Sequence, residues 1–493
     1  MGFVLAIDQG TTSSRAMLFA ARNGRLEVAG VSQAEFSQSY PKPGWVEHDP
    51  EEILATVLAT AREVFAKAPE PVAALGITNQ RETVVVWERA TGRAIHPAIV
   101  WQDRRTAEEC GRLRASGHEA LVAERTGLLL DPYFSATKMR WLLDNDPAVA
   151  SAAQDGRLAL GTVESWLLFK LSGGAFLTDA SNASRTQLLA LDGAQFDDGL
   201  CELFGVPRAA LAEVVDNAGP IAMAAPDVLG AAIPITGLAG DQQAATIGQG
   251  CLSAGDTKAT FGTGAFILTN NGTDMPASAN RLLGTVLYQI AGARTYALEG
   301  SVFVAGSLVQ WLRDSLGLLG TAGETDALAR SVPDNGGVVV VPALAGLGAP
   351  HWRSDARGII SGLSFATGKA HIARAALEAM AHQSYDLAKA FAADGGAWTS
   401  LKVDGGMSAN DWMAQDVADI LNLTVERPLD VETTARGAAM LAAAGHGLHS
   451  SLPAAVEVMC SPADKFTPAM TDEVRHARIE AWHHALEGAL RSR

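Results

Sequence analysis

At 493 residues the chain is longer than one ordinary hydrophobic core supports, so two domains of roughly 200 residues or more are expected. Hydrophobic residues make up 48% and charged residues 19%, a globular balance, while 38 Lys and Arg against 54 Asp and Glu leave a net charge of −16, which works against nucleic acid and anionic membrane surfaces as partners. The four cysteines form no CxxC pair, no apolar run nears the ~20 residues of a membrane span, and the N-terminus lacks a signal-peptide pattern, so a reduced, cytoplasmic chain without membrane insertion is expected.

Phe3-Val4-Leu5-Ala6-Ile7 reads as a buried strand, and Asp8-Gln9-Gly10-Thr11-Thr12-Ser13-Ser14-Arg15 follows directly. A carboxylate at a strand end, then a glycine turn and four hydroxyls, offers N–H and O–H donors to the phosphates of a nucleotide. Asp8 would repel those phosphates unless a cation sat between them, so the motif also implies Mg²⁺. The same stretch reads equally as an ordinary hairpin, with Ala16-Met17-Leu18-Phe19 as the second strand and Asn23-Gly24 as a tight turn into a third.

Pro50 to Ala66 has helical apolar spacing, and Ala74 to Ile77 and Val84 to Trp87 read as strands. Between those strands Arg81 stands beside Glu82, a pairing that offers donors and acceptors to a small neutral polyol; a surface ion pair in a turn is the alternative. Trp101 and Tyr133 supply aromatic faces in polar contexts, as core or as ligand wall. Ile233-Pro234-Ile235 leads to GLAGDQQA, where Asp241 can accept a proton from a substrate hydroxyl that Gln242 orients, or can cap a helix.

Gly250 to Gly255 lowers the apolar density and marks the expected domain boundary. Thr260 to Thr269, TFGTGAFILT, repeats the strand-turn-strand layout of the N-terminus and is followed by an Asn271-Gly272 turn signal, which points to two similarly built domains with facing loops. His371 to Ala392 and Ala409 to Leu421 read as helices, with Leu401 to Val403 as a strand and Asp404-Gly405-Gly406 as a turn near the second helix's positive end. Thr433 to Gly445 is a small-residue helix suited to tight packing, and Ser451 to Arg493 a terminal cap. Strands alternating with helices give the class α/β.

Joined in one chain from residue 3 to about 445, DQGTTSSRA, YPKPGWVEHDP, ITNQRET, WQDRRTAE, TGLLLDPYFS, AGDQQAA, FGTGAF, EGSVFVAGSLVQWLRD and VDGGMSAN resemble the FGGY family of carbohydrate kinases. The resemblance implies two actin/hexokinase-like (ribonuclease H-like) domains flanking an ATP and substrate cleft: residues 1–252 for polyol and phosphates, 253–445 for the nucleotide, and 446–493 as a helical cap. It also implies transfer of a phosphoryl group from ATP to glycerol, giving sn-glycerol 3-phosphate and ADP. The WVEHD and NQRET segments narrow the polyol to glycerol. Carried over residue by residue, Arg81, Glu82, Tyr133, Asp241 and Gln242 bind the glycerol hydroxyls, and Trp101 and Phe266 pack on its carbons. Thr11, Thr12, Ser13, Arg15 and Thr263 match phosphate-binding positions, and Gly306, Gln310, Gly406 and Asn410 surround the adenosine and its phosphates. Asp241 is the general base, and Asp8 with Asp241 holds Mg²⁺. Homodimer and homotetramer are both left open. The competing expectations are a kinase of the same family acting on another polyol or a pentulose, and an actin-like ATPase chaperone.

Overall fold

Phe3, Leu5 and Ile7 alternate with Val4 and Ala6 along strand β1 (Phe3–Gln9), and all five are buried, so this strand has apolar cover on both faces. The structure, a computed structural model, describes residues 2–22, 25–353 and 355–491. The turn expected at Asn23-Gly24 therefore lies outside the described residues. Around β1 stand β2 (Ser13–Arg22), β3 (Arg25–Glu35), β4 (Val72–Asn79), β5 (Ala218–Ala224) and β6 (Ile233–Gly240). In the second half come β7 (Thr257–Phe261), β8 (Ala265–Gly272), β9 (Leu283–Ile290), β10 (Ala293–Val302), β11 (Ser400–Asp404), β12 (Thr424–Pro428) and β13 (Ala463–Phe466).

These strands form one sheet in the order β13-β12-β11-β7-β8-β10-β9-β5-β6-β4-β1-β2-β3. Its two halves follow one plan. An antiparallel triple, β1-β2-β3 or β7-β8-β10, is extended by parallel strands on the far side of its first member, β4 and β6 in one half and β11 and β12 in the other. The halves touch through a single strand pair, Ala218 with Ile290. The repeat of layout expected from the two hydroxyl-rich turns is thus a repeat of topology.

Helix α1 (Pro50–Phe65) begins where Asp49 accepts from the Glu51 amide and Pro50 takes the first turn, and it packs on the Phe3, Leu5 and Ile7 side of the first sheet. The remaining helices used below are α2 (Asp241–Gly248), α3 (Gly306–Asp314), α4 (Lys369–Ala393), α5 (Asp411–Leu421), α6 (Thr433–His446) and α7 (Asp472–Arg491). Three of them overlay the expected helices closely. Helix α5 starts two residues later than expected because Gly406–Ala409 forms a 3₁₀ turn and Asn410 caps the helix, accepting from the Met413 amide.

Helix α6 belongs by chain order to the second half, yet it packs with Val4, Ala6, Met17 and Phe19 on the other face of the first sheet. The approach is too close for any side chain at the contact: a Cβ at Gly76 of β4 would lie 2.3 Å from the Ala438 carbonyl oxygen. Asn271-Gly272, expected as a turn, continues β8 instead. There the strand bulges, with Asn270 accepting from the Gly272 amide at 2.7 Å.

Candidate active site

Strand β4 ends in a tight reversal at which the Thr83 amide bonds to the Arg81 carbonyl at 2.7 Å and Glu82 takes a left-handed φ of 59°. The reversal turns both charges inward, and Arg81 and Glu82 are 3% and 1% exposed. The surface-pair alternative is therefore excluded, and their mutual contact, at 3.9 Å, is the longest ion pair either makes. Arg81 donates to Glu299 at 2.5 and 3.2 Å and pairs with Asp241 at 3.1 Å, while Arg185 bridges Glu82 at 2.6 Å and Glu299 at 3.0 Å. Glu299, Arg185 and Lys258, which the sequence reading left without a role, join Arg81 and Glu82 in a buried charge group that meets the partly exposed carboxylate of Asp241 at its edge. Arg185 and Glu299 were detectable in principle, each a lone charge in an apolar or small-residue stretch, a position that burial permits only with a partner.

The balance shapes the protonation of the group. Burial raises the Glu299 carboxyl, but Arg185 and Arg81 outweigh it and leave it at about 2. Burial also lifts Glu82 and Asp241 above the usual carboxylate range, against the guanidinium of Arg81 beside both. Asp241 is not a helix cap. It is the first residue of α2, after Gly240, and its carboxylate accepts from the Gln242 amide at 2.7 Å at the positive end of the helix. Gly240 has to be glycine here, since a Cβ would lie 2.7 Å from the Arg81 side-chain carbons.

Asp241 and Arg81 open onto a cavity of about 520 Å³ between the two halves. Of the residues named from sequence, Thr11, Thr12, Arg81, Glu82, Trp101, Tyr133, Asp241, Gln242, Thr263, Phe266 and Gln310 line it, joined by Gln38, Tyr40, Gln102 and Thr260. One wall is aromatic and drawn from both halves: Trp101 meets Tyr133 at 5.7 Å and Phe266 at 6.1 Å, edge to face. The indole of Trp101 donates to Thr11 at 3.0 Å, which ties this wall to the first hydroxyl loop. Each loop is closed by a backbone bond of 2.9 Å, Gly10 N–H to the Ser13 carbonyl in one and Gly262 N–H to the Gly264 carbonyl in the other, a turn one residue tighter.

Six of the expected residues stand outside the cavity wall. Gly306 begins α3 and bonds to Gly262 at 2.8 Å, Asn410 caps α5 and donates to Thr325, and Gly406 is exposed with open space where a side chain would be. Ser13 accepts from Gln33, and Arg15 is held by Gln33 and by the carboxylate of Glu432. Asp8, at the end of β1, is raised from 3.8 to about 7, mainly by burial, with Asp241 adding to the rise and Arg15 opposing it.

That shift has a measurable consequence. Folded Asp8 keeps its proton up to about pH 7 while the unfolded residue loses it near 3.8, so unfolding releases a proton within that window and stability falls as pH rises through it. Asp8→Asn is expected to raise the thermal midpoint of the free protein at pH 8, by at most about 4 kcal/mol of stability, and to leave it nearly unchanged below pH 4. Unfolding scans at the two pH values check this; an equal effect at both would remove the buried-charge account.

The N-terminal domain profile of the FGGY family of carbohydrate kinases matches residues 3–248, and the C-terminal domain profile matches residues 257–446. A glycerol kinase of Gluconobacter oxydans is 51% identical over 491 residues, covering 99% of this chain and 95% of that protein. One of Aromatoleum aromaticum is 52% identical over 497 residues, 99% of each chain. The crystal structure of Plasmodium falciparum glycerol kinase with ADP superposes with a TM-score of 0.93 at 34% identity, over 100% of this chain and 99% of that one. A ligand-bound xylulose kinase from Lactobacillus acidophilus shares the fold, with a TM-score of 0.87 at 21% identity over 100% and 99% of the two chains. With both family domains matched in order along a fold built twice on one plan, the chain belongs to the FGGY family of carbohydrate kinases.

Proposed function

We propose that this protein phosphorylates glycerol with ATP, giving sn-glycerol 3-phosphate and ADP. The observation that carries this reading is the cavity itself: a carboxylate at a helix N-terminus, Asp241, beside the guanidinium of Arg81 and opposite an aromatic wall, with a hydroxyl loop from each half of the chain at its edge. A triol has polar edges for Arg81, Glu82, Tyr133 and Gln242 and a carbon face for Trp101 and Phe266. The glycerol kinases among its relatives support the same substrate.

In the transfer, Asp241 takes the proton of a terminal glycerol hydroxyl as its oxygen bonds to the γ-phosphorus and the bond to the ADP oxygen breaks. Burial suits Asp241 to this work, because a carboxylate raised above its usual range is a stronger base. Thr11, Thr12, Ser13 and Thr263 would hold phosphate oxygens. Arg15 would join them by exchanging Glu432 for a phosphate, and Gly306, Gln310, Gly406 and Asn410 would border the rest of the nucleotide.

The acidic residues at the site fit Mg²⁺. Asp241 raises the cost of charge on Asp8, a cost that a cation between them would offset, and Mg²⁺ takes one or two carboxylates and completes its shell with phosphates and water. Held by Asp8 and Asp241, Mg²⁺ would neutralise charge on the β- and γ-phosphates. Among the described residues no helix is long and apolar enough to cross a membrane.

ADP release measured across a panel of glycerol, erythritol, xylulose and ribulose tests the reading. Turnover is expected to depend on glycerol, and ATP hydrolysis without any polyol to be at least about 10²-fold slower, because the closed, water-excluding state requires the polyol's contacts with both halves. Faster turnover with a pentulose would reassign the substrate, and equal hydrolysis with and without polyol would favour an actin-like ATPase.

A further inference from the structure

Lys258 lies fully buried on β7, and its ammonium donates to Gln242 Oε1 at 2.5 Å and to Thr260 Oγ1 at 2.8 Å. An ammonium has donors and no acceptor, so the Gln242 amide can meet it only through its oxygen. The nitrogen end of that amide is then turned away from Lys258. It has no hydrogen-bond partner among the described residues, and Gln242 lines the cavity next to Asp241. Left unheld, an amide can present either end to a ligand. The oxygen end would accept a substrate hydroxyl's proton and so compete with Asp241 for it, whereas the nitrogen end would donate to the hydroxyl's oxygen and leave its proton to the base.

We propose that Lys258 is a positioning residue that fixes the Gln242 amide with its N–H₂ toward the attacking hydroxyl, so that the hydroxyl's proton is directed to Asp241. The inference rests on the glycerol reading above. The carboxylates that act on Lys258 are Asp404 on β11, Asp241 on α2 and, more weakly, Glu299 on β10, with the Arg81 guanidinium opposing them; Asp404 is itself fixed by Gln249 at 2.8 Å and by Thr433. Burial pulls the Lys258 amine down, and these three carboxylates act against that pull. The contact joins the two halves: Lys258 comes from the second half of the chain, while Gln242 lies in the first turn of the helix that ends the first.

A double-mutant cycle separates orientation of Gln242 from a general effect of the buried charge. Lys258→Met is expected to lower kcat for glycerol by about 10- to 100-fold while the KM for ATP stays within about twofold. Added to Gln242→Ala, it is expected to lower kcat by less than about threefold further, since the group it acts through is gone. If the full loss recurs in that background, or if the KM for ATP moves most, Lys258 acts on Asp241 or on the fold and the proposal is overturned. Gln242→Glu tests the same point with Lys258 intact. It keeps an oxygen for the ammonium and replaces the N–H₂ with a second oxygen, so a kcat loss of at least about tenfold is expected, and near wild-type turnover would overturn the assignment. Absence of glycerol-dependent ADP release in the wild-type protein would instead overturn the reading on which this inference stands.

Discussion

Asp241→Asn is expected to lower kcat by about 10² to 10⁴ while nucleotide binding is nearly unchanged. The substitution is close to isosteric. An Asn oxygen can still accept from the Gln242 amide as the carboxylate does at 2.7 Å, so the start of α2 is preserved and the lost function is the base. Wild-type kcat/KM should fall on the acid side as Asp241 takes up its proton, at a pH above that of an ordinary aspartate because burial raises it. In the variant that limb disappears. The neutral side chain also removes one cause of the rise at Asp8, whose pKa should then move down from about 7. A variant that keeps more than about half of wild-type turnover, measured where chemistry limits the rate, takes Asp241 out of the base role.

Arg81→Ala is expected to act on substrate binding and on stability together. Stripping a charged donor from the polyol should raise the KM for glycerol by about 10- to 100-fold and leave the KM for ATP little changed. The structure adds a cost that a surface pair would not have. Arg81 is one of two guanidiniums on the fully buried Glu299, so its removal leaves that carboxylate half compensated, at about 3 to 5 kcal/mol. The pH dependence has a definite sign. Glu299 is held at about 2 against 4.5 in the reference state, so its contribution to stability is complete above about pH 4.5 and is lost as pH falls toward 2. In the variant the loss should set in at higher pH. Kinetics for both substrates and urea unfolding at pH 7 and pH 4 report the two effects; a larger change in the KM for ATP than for glycerol would overturn the assignment of Arg81 to the polyol.

The two hydroxyl-rich loops and much of the cavity lining were legible because their residue patterns are local. Asp8 to Arg15 and Thr260 to Thr269 each carry turn residues and hydroxyls within a few positions, and helices such as α1 and α4 announce themselves by apolar spacing. The charge network was not legible, because its bonds join residues such as Arg81 and Glu299 whose separation in the chain is 218. No short-range pattern carries that pairing. Arg81 beside Glu82 looked like a pair, whereas the fold aims each at a different partner through the left-handed turn at Glu82. Likewise the Asn271-Gly272 signal was overridden by β10, which pairs with β8 beyond the point where a turn was expected.

Helix α6 has a consequence for the order of synthesis. Domains generally fold as units as the chain leaves the ribosome, the N-terminal one first. Here the side of the first sheet formed by Val4, Ala6, Met17 and Phe19 is covered by residues 433–446, so a nascent chain that has already made β1 to β6 must wait for nearly all the remaining sequence before that face is sealed. A fragment ending at residue 252 would carry the same open apolar surface permanently. It should remain soluble only when residues 433–446 are supplied, either in the same chain or as a complementing piece.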